Sequence, residues 1–194
     1  AEVDIPLDLD WFNGISNTTP LLGRFKPASN YTVTDFGAAG GVGAVLGELR
    51  RAGLLRDEAQ TVWGCTVGEW VRERHTCNPE VLTPSDRPLA PQGGIAVLRG
   101  TLAPAGAVVK RSGVAANMMV HTGPAKVCES EEEVRSRLNS GDVKAGDVLI
   151  IRYEGPIGGP GMRELSIPAA LLVGMGLSES VAMVTDGRYS GATR

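Results

Sequence analysis

Residues 150–190 carry the clearest signal for the fold. They read I-I-R-Y-E-G-P-I-G-G-P-G-M-R-E-L at 150–165, then an apolar segment, then V-A-M-V-T-D-G-R-Y-S at 181–190. Leu149 to Ile151 is a short branched apolar run bounded by Gly-Asp and Gly-Pro pairs, which predicts a strand. Val181 to Val184 predicts a second strand, and the apolar segment between the two predicts a helix. The predicted order is therefore strand, glycine-rich loop, helix, strand and loop.

The polar residues of this stretch stand where the two predicted strands end. Glycine and proline fill most of the loop from residue 155 to 161, and such a loop lets the backbone approach a ligand closely. The first loop offers the carboxylates of Glu154 and Glu164, and the second offers the hydroxyl of Ser190. Two such loops at strand ends predict half of an active site.

Four segments of the chain together resemble one family of enzymes. They read N-G-I-S-N-T-T-P-L-L-G-R-F-K-P-A-S-N-Y at 13–31, G-G-I-A-V-L-R-G-T-L-A-P-A-G-A-V-V-K at 93–110, G-D-V-L-I-I-R-Y-E-G-P-I-G-G-P-G-M-R-E-L at 146–165 and T-D-G-R-Y-S-G-A-T-R at 185–194. This combination resembles the dihydroxy-acid dehydratase and phosphogluconate dehydratase family, loosely before Gly93 and with high specificity after it. The resemblance covers nearly the whole chain.

The resemblance implies an α/β fold in two parts. Residues 1–85 would be the end of an amino-terminal three-layer α/β domain together with a linker, and residues 86–194 a swivelling β/α/β barrel domain, incomplete at its carboxyl end. Short strands, glycine turns and a few covering helices after Gly93 also favour a mixed, barrel-like α/β domain. Because family members are much longer on the amino-terminal side and continue past this point, we expect the chain to be an excised carboxyl-terminal piece.

Removal of water from a 2,3-dihydroxy acid requires a base for the proton next to the carboxylate, a cation for the enediolate-like charge and an acid for the departing hydroxyl. The resemblance implies that Mg²⁺ and an iron-sulfur cluster share one pocket. It puts the family's metal-binding glutamate of G-P-G-M-x-E on Glu164, and the catalytic serine of D-G-R-x-S-G on Ser190 as a base in alkoxide form. The other Mg²⁺ ligands and the cluster cysteines of the family lie outside this chain, so we expect the isolated chain to bind neither cofactor.

Two departures from the family pattern leave the substrate open. Thr101 stands where the family usually has asparagine, and Gly37 stands where a polar residue or histidine often precedes A-G-G. The runs R-Y-E-G-P-I-G-G-P-G-M and S-G-A-T-R are nevertheless closer to the dihydroxy-acid dehydratases of branched-chain amino-acid synthesis than to the sugar-acid branches. The resemblance therefore favours a lyase of that pathway, which forms a 2-keto acid. The alternatives are an aldonic (sugar) acid dehydratase and, for the isolated chain, a non-catalytic folded module.

The composition of the whole chain indicates which kinds of partner the protein is expected to bind. The net charge is −3 and no basic block is present, so we expect no nucleic-acid partner. The longest apolar run, Ile167 to Leu177, is far short of the about 20 residues that span a bilayer, and A-E-V-D at the start is not a signal peptide. These features predict a soluble cytoplasmic protein without a membrane partner. The resemblance adds a small dihydroxy-acid substrate and, for the full-length protein, a homodimer.

The cysteines stand at no recognised metal spacing, and an odd count without a signal peptide favours reduced thiols; they are Cys65, Cys77 and Cys128. Cys65, His75 and Cys77 lack a fourth ligand, and H-x-C is not a common zinc spacing. We therefore interpret these side chains as ordinary packed or surface residues.

The other polar residues of the two loops have open alternatives. Glu164 has an alternative role as a helix-start carboxylate held by backbone N–H groups. Asp186 and Arg188 are predicted to form an ion pair that keeps the second loop in shape. Glu154 either contacts the surroundings of the substrate or metal, or has a surface or hydrogen-bonding role.

Helical spacing predicts three helices in the first part of the chain, at about residues 9–15, 38–51 and 67–74. Asp35 is the predicted cap of the second helix, and Gly53 is predicted to end it. The glycine run at 40–47 is one residue too long for a dinucleotide-binding motif, and close helix packing explains it better. Four prolines between residues 78 and 92 predict a linker between domains.

The later part of the chain is predicted to change to short strands. Residues 95–98 and 108–109 are apolar runs punctuated by glycine, which predicts two strands. The run S-E-E-E at 130–133 has the spacing of a capping box, so the acidic residues are predicted to begin a helix that ends near Leu138.

Overall fold

The structure is a computed structural model that describes residues 6–157, 159 and 161–189. These residues form two compact units, which divide between Gly113 and Val114. Both units combine helices with strands, which confirms the α/β class.

The sheets of the two units are small. The described strands form one two-stranded sheet and one three-stranded sheet, and they form no closed barrel. Across the same residues, no helix is long and apolar enough to cross a membrane. The predicted domain boundary near residue 85 concerns the whole protein and stays a prediction.

The first unit is built from short helices and an antiparallel strand pair. Its elements are α1 (Leu9–Thr18), α2 (Val33–Ala38), α3 (Gly41–Arg51), α4 (Val67–Trp70), β1 (Ile95–Leu98) and β2 (Ala107–Lys110). Asp8 caps α1, since its carboxylate accepts a hydrogen bond from the Trp11 amide at 2.8 Å. Strands β1 and β2 pair with Ile95 opposite Lys110, which confirms the two predicted strands.

The helix predicted over residues 38–51 is α3, which begins at Gly41, and the separate short helix α2 precedes it. Thr32, rather than Asp35, is the N-cap of α2. The Thr32 hydroxyl accepts a hydrogen bond from the Asp35 amide at 3.3 Å, and the Asp35 carboxylate accepts one from the Thr32 amide at 2.6 Å. Gly40 and Gly41 then adopt φ angles of 110° and 57°, a left-handed backbone that separates α2 from α3. The prediction that Asp35 caps the helix over residues 38–51 was wrong, because Asp35 lies within α2 and Gly40 is the N-cap of α3.

The carboxyl end of α3 is as predicted. Gly53 adopts a φ of 70°, its amide donates to the Arg50 carbonyl at 3.0 Å, and the Leu54 amide donates to the Leu49 carbonyl at 2.9 Å. These two bonds form the Schellman motif that satisfies the last carbonyls of a helix. The helix predicted over residues 67–74 is shorter and covers only α4.

The glycines of α3 allow a neighbouring segment to pack tightly against the helix. A Cβ on Gly43 would lie 2.7 Å from Cδ of Arg74, and a Cβ on Gly47 would overlap the carbonyl oxygen of Arg74. Close packing therefore accounts for this glycine run, as predicted.

The proline-rich segment from residue 78 to 92 is irregular, but it packs within the first unit. The Thr83 amide donates to the Leu22 carbonyl at 2.8 Å, and Leu21 forms an antiparallel bridge with Ala90. The buried core of the unit consists of Leu22, Ala39, Ala44, Val81 and Leu82. The predicted linker thus contributes two core residues of this unit.

The second unit is a three-stranded parallel sheet with two helices. Its elements are a 3₁₀ turn (Ala116–Met118), β3 (Ala125–Cys128), α5 (Glu131–Asn139), β4 (Val148–Ile151), α6 (Ser166–Gly174) and β5 (Ala182–Thr185). The sheet order is β3-β4-β5, and Ile150 lies between Val127 and Val184. Elements β4, α6 and β5 confirm the predicted strand, helix and strand. Strand β3 was not predicted because A-K-V-C contains no apolar run.

Helix α5 begins at the predicted serine. The Ser130 hydroxyl accepts a hydrogen bond from the Glu133 amide at 3.2 Å, while the Glu133 carboxylate accepts one from the Glu129 amide at 2.8 Å. In the predicted capping box the Glu133 carboxylate would accept from the amide of the N-cap, Ser130. It accepts instead from the amide of the preceding residue, Glu129. The core between α5, α6 and the sheet consists of Cys128, Val134, Leu138, Val143, Leu149, Ile151, Leu165, Leu172 and Val181.

Candidate active site

The two loops predicted to carry the site lie side by side. Strands β4 and β5 are neighbouring parallel strands, so their carboxyl ends meet at one edge of the sheet. The loop after β4 covers residues 152–165, and residues 186–189 begin the loop after β5. A parallel bridge between Glu164 and Arg188 joins the two loops. Ser190, the predicted catalytic residue, lies outside the described residues.

Asp186 holds the first loop in place. Its two carboxylate oxygens accept hydrogen bonds from the amides of Tyr153 and Glu154, each at 3.0 Å. The predicted ion pair between Asp186 and Arg188 was wrong, because Nη1 of Arg188 lies 3.1 Å from Oε2 of Glu164 instead. Both residues thus fix the loops through partners that are distant in sequence.

Glu164, the predicted metal ligand, lies just before α6, and its side chain is 35% exposed. The backbone is fixed on both sides of it: the Arg188 amide donates to the Arg163 carbonyl at 2.9 Å, and the Leu165 amide donates to the Arg188 carbonyl at 2.9 Å. Among the described residues, the hydrogen-bond partner of its carboxylate is Arg188 and not the backbone of α6. The alternative of a helix-start carboxylate therefore does not describe its contacts.

Glu154, whose role the sequence left open, is buried at 1% exposure. Its Oε1 accepts a hydrogen bond from the amide of Glu131 at 2.6 Å, and Glu131 is itself only 2% exposed. The Arg163 guanidinium lies 2.6 Å from Oε2 of Glu131 and 3.5 Å from Oε1 of Glu154. Glu154 therefore has the hydrogen-bonding role. Sequence reasoning missed this buried cluster of Glu131, Glu154 and Arg163, because no local pattern relates a helix start to a loop.

The described residues fit one part of a Mg²⁺ site. Glu164 offers a partly exposed carboxylate, the hard oxygen ligand that Mg²⁺ prefers. Within the described part of the chain, however, no group of three His, Cys, Asp or Glu side chains is arranged to hold a metal ion. Glu164 can therefore contribute one ligand, and a complete site needs further ligands from elsewhere.

The cysteines do not fit an iron-sulfur cluster. Cys65 is half-buried and Cys77 is exposed in the first unit, whereas Cys128 is buried at the end of β3 in the second unit. Burial raises the pKa of the Cys128 thiol, and the negative charge of Glu133 raises it further. A raised pKa favours the thiol over the thiolate that binds metals. Because the described residues also contain no group of three metal-ligating side chains, we assign none of the three cysteines to a cluster.

Comparison with known families gives matches along most of the chain. Residues 80–194 match the family model described as "Dihydroxy-acid/6-phosphogluconate dehydratase C-terminal". Residues 1–70 match the model described as "Dihydroxy-acid/6-phosphogluconate dehydratase N-terminal". The chain therefore belongs to the dihydroxy-acid/6-phosphogluconate dehydratase family, a family of hydro-lyases, and the predicted resemblance is confirmed.

Curated relatives named dihydroxy-acid dehydratase are similar to the chain from end to end. Those from Carboxydothermus hydrogenoformans and Caldicellulosiruptor bescii are each 50% identical over 193 residues. One from Solidesulfovibrio magneticus is 50% identical over 196 residues. Each alignment covers 100% of this chain but 35% of the relative. The chain thus spans about a third of the length of these relatives.

Proposed function

We propose that a full-length protein containing this chain removes water from a 2,3-dihydroxy carboxylic acid and releases a 2-keto acid. The observation that carries the proposal is the 50% identity to relatives named dihydroxy-acid dehydratase over the whole of this chain. The motifs at residues 152–162 and 190–194 resemble those of dihydroxy-acid dehydratases of branched-chain amino-acid synthesis, which favours a branched dihydroxy acid as substrate and that pathway.

In this proposal Glu164 supplies one carboxylate ligand to Mg²⁺. Its carboxylate accepts a hydrogen bond from Arg188, and Nε of Arg188 in turn donates to the carbonyl of Met162 at 3.0 Å. These contacts orient the Glu164 carboxylate through residues of both loops. When bound, Mg²⁺ supplies positive charge that stabilises a substrate oxygen as it becomes negative.

Ser190 is the proposed base, and its Oγ receives the proton from the carbon next to the substrate carboxylate. A serine hydroxyl is a weak base unless positive charge and hydrogen bonds stabilise the alkoxide. Arg188 stands two residues before Ser190 in the sequence and contacts Glu164. This contact supports a site in which the serine and the metal-binding glutamate act on the same substrate.

Further properties of the full-length protein belong to the same proposal. We infer an iron-sulfur cluster whose ligands come from outside this chain, and a swivelling β/α/β barrel over residues 86–194. We also infer a cytoplasmic homodimer that acts on a small molecule. Family membership supports these inferences, and the parallel sheet of β3, β4 and β5 with its two helices supports the barrel.

A second candidate is an aldonic acid dehydratase with the same chemistry. The matched family model includes 6-phosphogluconate dehydratases in its description. The departures at Thr101 and Gly37 from the family pattern leave this substrate class open. The two candidates differ in the substrate that the full-length protein turns over.

The test is dehydratase activity of the anaerobically prepared full-length protein, with and without Mg²⁺, on 2,3-dihydroxyisovalerate and on a panel of aldonic acids. We expect turnover of the branched acid that depends on Mg²⁺. Turnover of aldonic acids alone would move the enzyme to sugar-acid catabolism, and turnover of neither would refute both candidates.

The same assay tests the role of Ser190. We expect Ser190→Ala to lower kcat by about 100- to 10,000-fold, the range typical for loss of a positioned acid or base. Ser140→Ala is the matched control, since Ser140 lies at the exposed end of α5 and its hydroxyl donates to the Arg137 carbonyl. An unchanged kcat in Ser190→Ala would exclude Ser190 as the base.

A further inference from the structure

Arg163, the residue directly before Glu164, contacts three glutamates. Its guanidinium nitrogens lie 2.6 Å from Glu131, 2.8 Å from Glu132 and 3.5 Å from Glu154. Glu131 and Glu132 begin α5, whereas Glu154 belongs to the loop after β4. One side chain therefore ties a helix start to the loop that carries the proposed metal ligand.

The buried carboxylates of Glu131 and Glu154 depend on Arg163 for a compensating positive charge. Glu131 and Glu154 are 2% and 1% exposed, and a buried carboxylate is costly unless a cation and hydrogen bonds compensate it. Within the described part of the chain, Arg163 is the cationic side chain that forms ion pairs with both. Oε1 of Glu131 and Oε2 of Glu154 have no hydrogen-bond partner among the described residues. The two buried carboxylates therefore depend on Arg163 to compensate their charge.

The backbone of Arg163 is held as firmly as its side chain. Its amide donates to the Glu154 carbonyl at 2.9 Å, and its carbonyl accepts from the Arg188 amide at 2.9 Å. A Cβ on Gly187 would lie 2.8 Å from the Arg163 carbonyl oxygen, so the second loop packs directly on this peptide. The position of the next residue, Glu164, follows from these contacts.

We propose that Arg163 is a positioning residue for Glu164: by pairing with Glu131 and Glu154 it fixes the direction in which the Glu164 carboxylate meets a divalent cation. This inference rests on the proposed metal-binding role of Glu164. Arginine suits the task because its planar guanidinium contacts several carboxylates at once, which the single ammonium of lysine does not reproduce. Arg163→Lys keeps the charge and removes that geometry.

The expected effect is a loss of cation affinity in the full-length protein. Residues that orient a metal ligand typically contribute about 10- to 100-fold to metal affinity, and we expect Arg163→Lys to weaken binding within that range. Binding is measured with Mn²⁺ as the probe, by electron paramagnetic resonance of the free ion, and with Mg²⁺ in competition. This readout requires no turnover.

A double-mutant cycle separates positioning from a general effect on stability. If Arg163 acts through Glu164, Arg163→Lys weakens Mn²⁺ binding in the parent protein but causes no further loss in the Glu164→Gln background. A purely structural role would lower the Tm of both backgrounds alike and leave Mn²⁺ binding by the folded protein unchanged.

Arg152→Lys is the matched control. Arg152 also belongs to the loop after β4 and also pairs with a glutamate, Glu129, at 2.8 Å, but both side chains are about half exposed. We expect its Mn²⁺ affinity to equal that of the parent protein. If Arg163→Lys does not fold, Glu132→Gln is a milder test, because Glu132 is 63% exposed. We expect Glu132→Gln to weaken Mn²⁺ binding as well, but by a smaller factor than Arg163→Lys.

The outcomes distinguish this inference from the proposed function. If Glu164→Gln weakens Mn²⁺ binding while Arg163→Lys and Glu132→Gln do not, the positioning role is refuted and the metal-ligand role stands. If Glu164→Gln leaves Mn²⁺ binding unchanged, the metal-ligand role and the positioning role both fail.

Discussion

Glu48 is a single buried carboxylate that joins α3 to the segment around residue 85. It is 3% exposed, and its Oε2 accepts hydrogen bonds from the Ser85 amide at 2.9 Å and the Ser85 hydroxyl at 3.2 Å. Its Oε1 forms an ion pair with Arg51. Burial raises the pKa of Glu48, but hydrogen bonds from Arg51 and Ser85 and the positive charge of Arg51 outweigh this effect, so the pKa lies below its ordinary value of 4.5.

This pKa predicts a pH-dependent stability. Because the folded-state pKa of Glu48 is lowered, its ionised form stabilises the fold above the ordinary pKa of 4.5, and that contribution is lost as the pH falls through the folded-state value. We therefore expect the free energy of unfolding to fall on acidification below about pH 4.5, and to fall less steeply in Glu48→Gln. Denaturant unfolding at a series of pH values measures this slope.

The control for this prediction is Glu80→Gln, at an exposed position of the same unit. In Glu80→Gln, the free energy of unfolding should depend on pH as steeply as in the unsubstituted chain. Equal slopes in Glu48→Gln and Glu80→Gln would show that Glu48 does not stabilise the fold as argued.

At the scale of whole elements, glycine has opposite effects in two helices of the first unit. Gly14 lies inside α1, and apart from its chain neighbours and the surrounding helix backbone no atom lies within 4 Å of the position that a Cβ would occupy. Gly47 lies inside α3, where a Cβ would meet the carbonyl oxygen of Arg74. The first glycine carries only the entropic cost of glycine in a helix, whereas the second permits packing.

These surroundings predict that substitution by alanine changes the free energy of unfolding in opposite directions at the two positions. Gly14→Ala should stabilise the protein by about 0.5–1 kcal/mol, the usual gain of alanine over glycine in a helix. Gly47→Ala should destabilise it by about 1–3 kcal/mol, since a methyl group there displaces backbone rather than a flexible side chain. Thermal and denaturant unfolding of both variants test this, and a stabilised Gly47→Ala would contradict the packing of α3 described above.

At the scale of the whole molecule, the chain offers few of the groups that the proposed reaction needs. Glu164 is one potential Mg²⁺ ligand, and one carboxylate does not hold this ion tightly. The chain spans 35% of its relatives' length, so most of a full-length relative lies outside it. For this reason we predict that the isolated chain behaves as a non-catalytic folded module.

We predict no dehydratase turnover by the isolated 194-residue chain, with or without added Mg²⁺, under conditions in which the full-length protein is active. Formation of the 2-keto acid, followed by derivatisation of the product, measures this. The full-length protein assayed in parallel is the positive control. If the isolated chain formed product faster than the background rate, the hypothesis that it is a non-catalytic module would be rejected.

Much of the local structure could be predicted because its determinants lie within a few residues of one another. Leu149 to Ile151 form the core of β4, Gly53 ends α3, and Ser130 begins α5, each as its local pattern indicates. Two features of the described residues were not predicted, because the local pattern carries no signal for them. Strand β3 contains no apolar run, and apolar spacing does not record the left-handed turn at Gly40 that separates α2 from α3.

The amino-acid sequence was enough to predict the family and the neighbouring loops after β4 and β5, because the residues of each motif are close together along the chain. The packing of the chain, in contrast, buries Glu154 against Glu131 and pairs Arg188 with Glu164 rather than with Asp186. These partners are 23 and 24 positions apart. The parallel register of β4 and β5 and the packing of α5 bring them together, and no local pattern records burial or pairing that arises in this way.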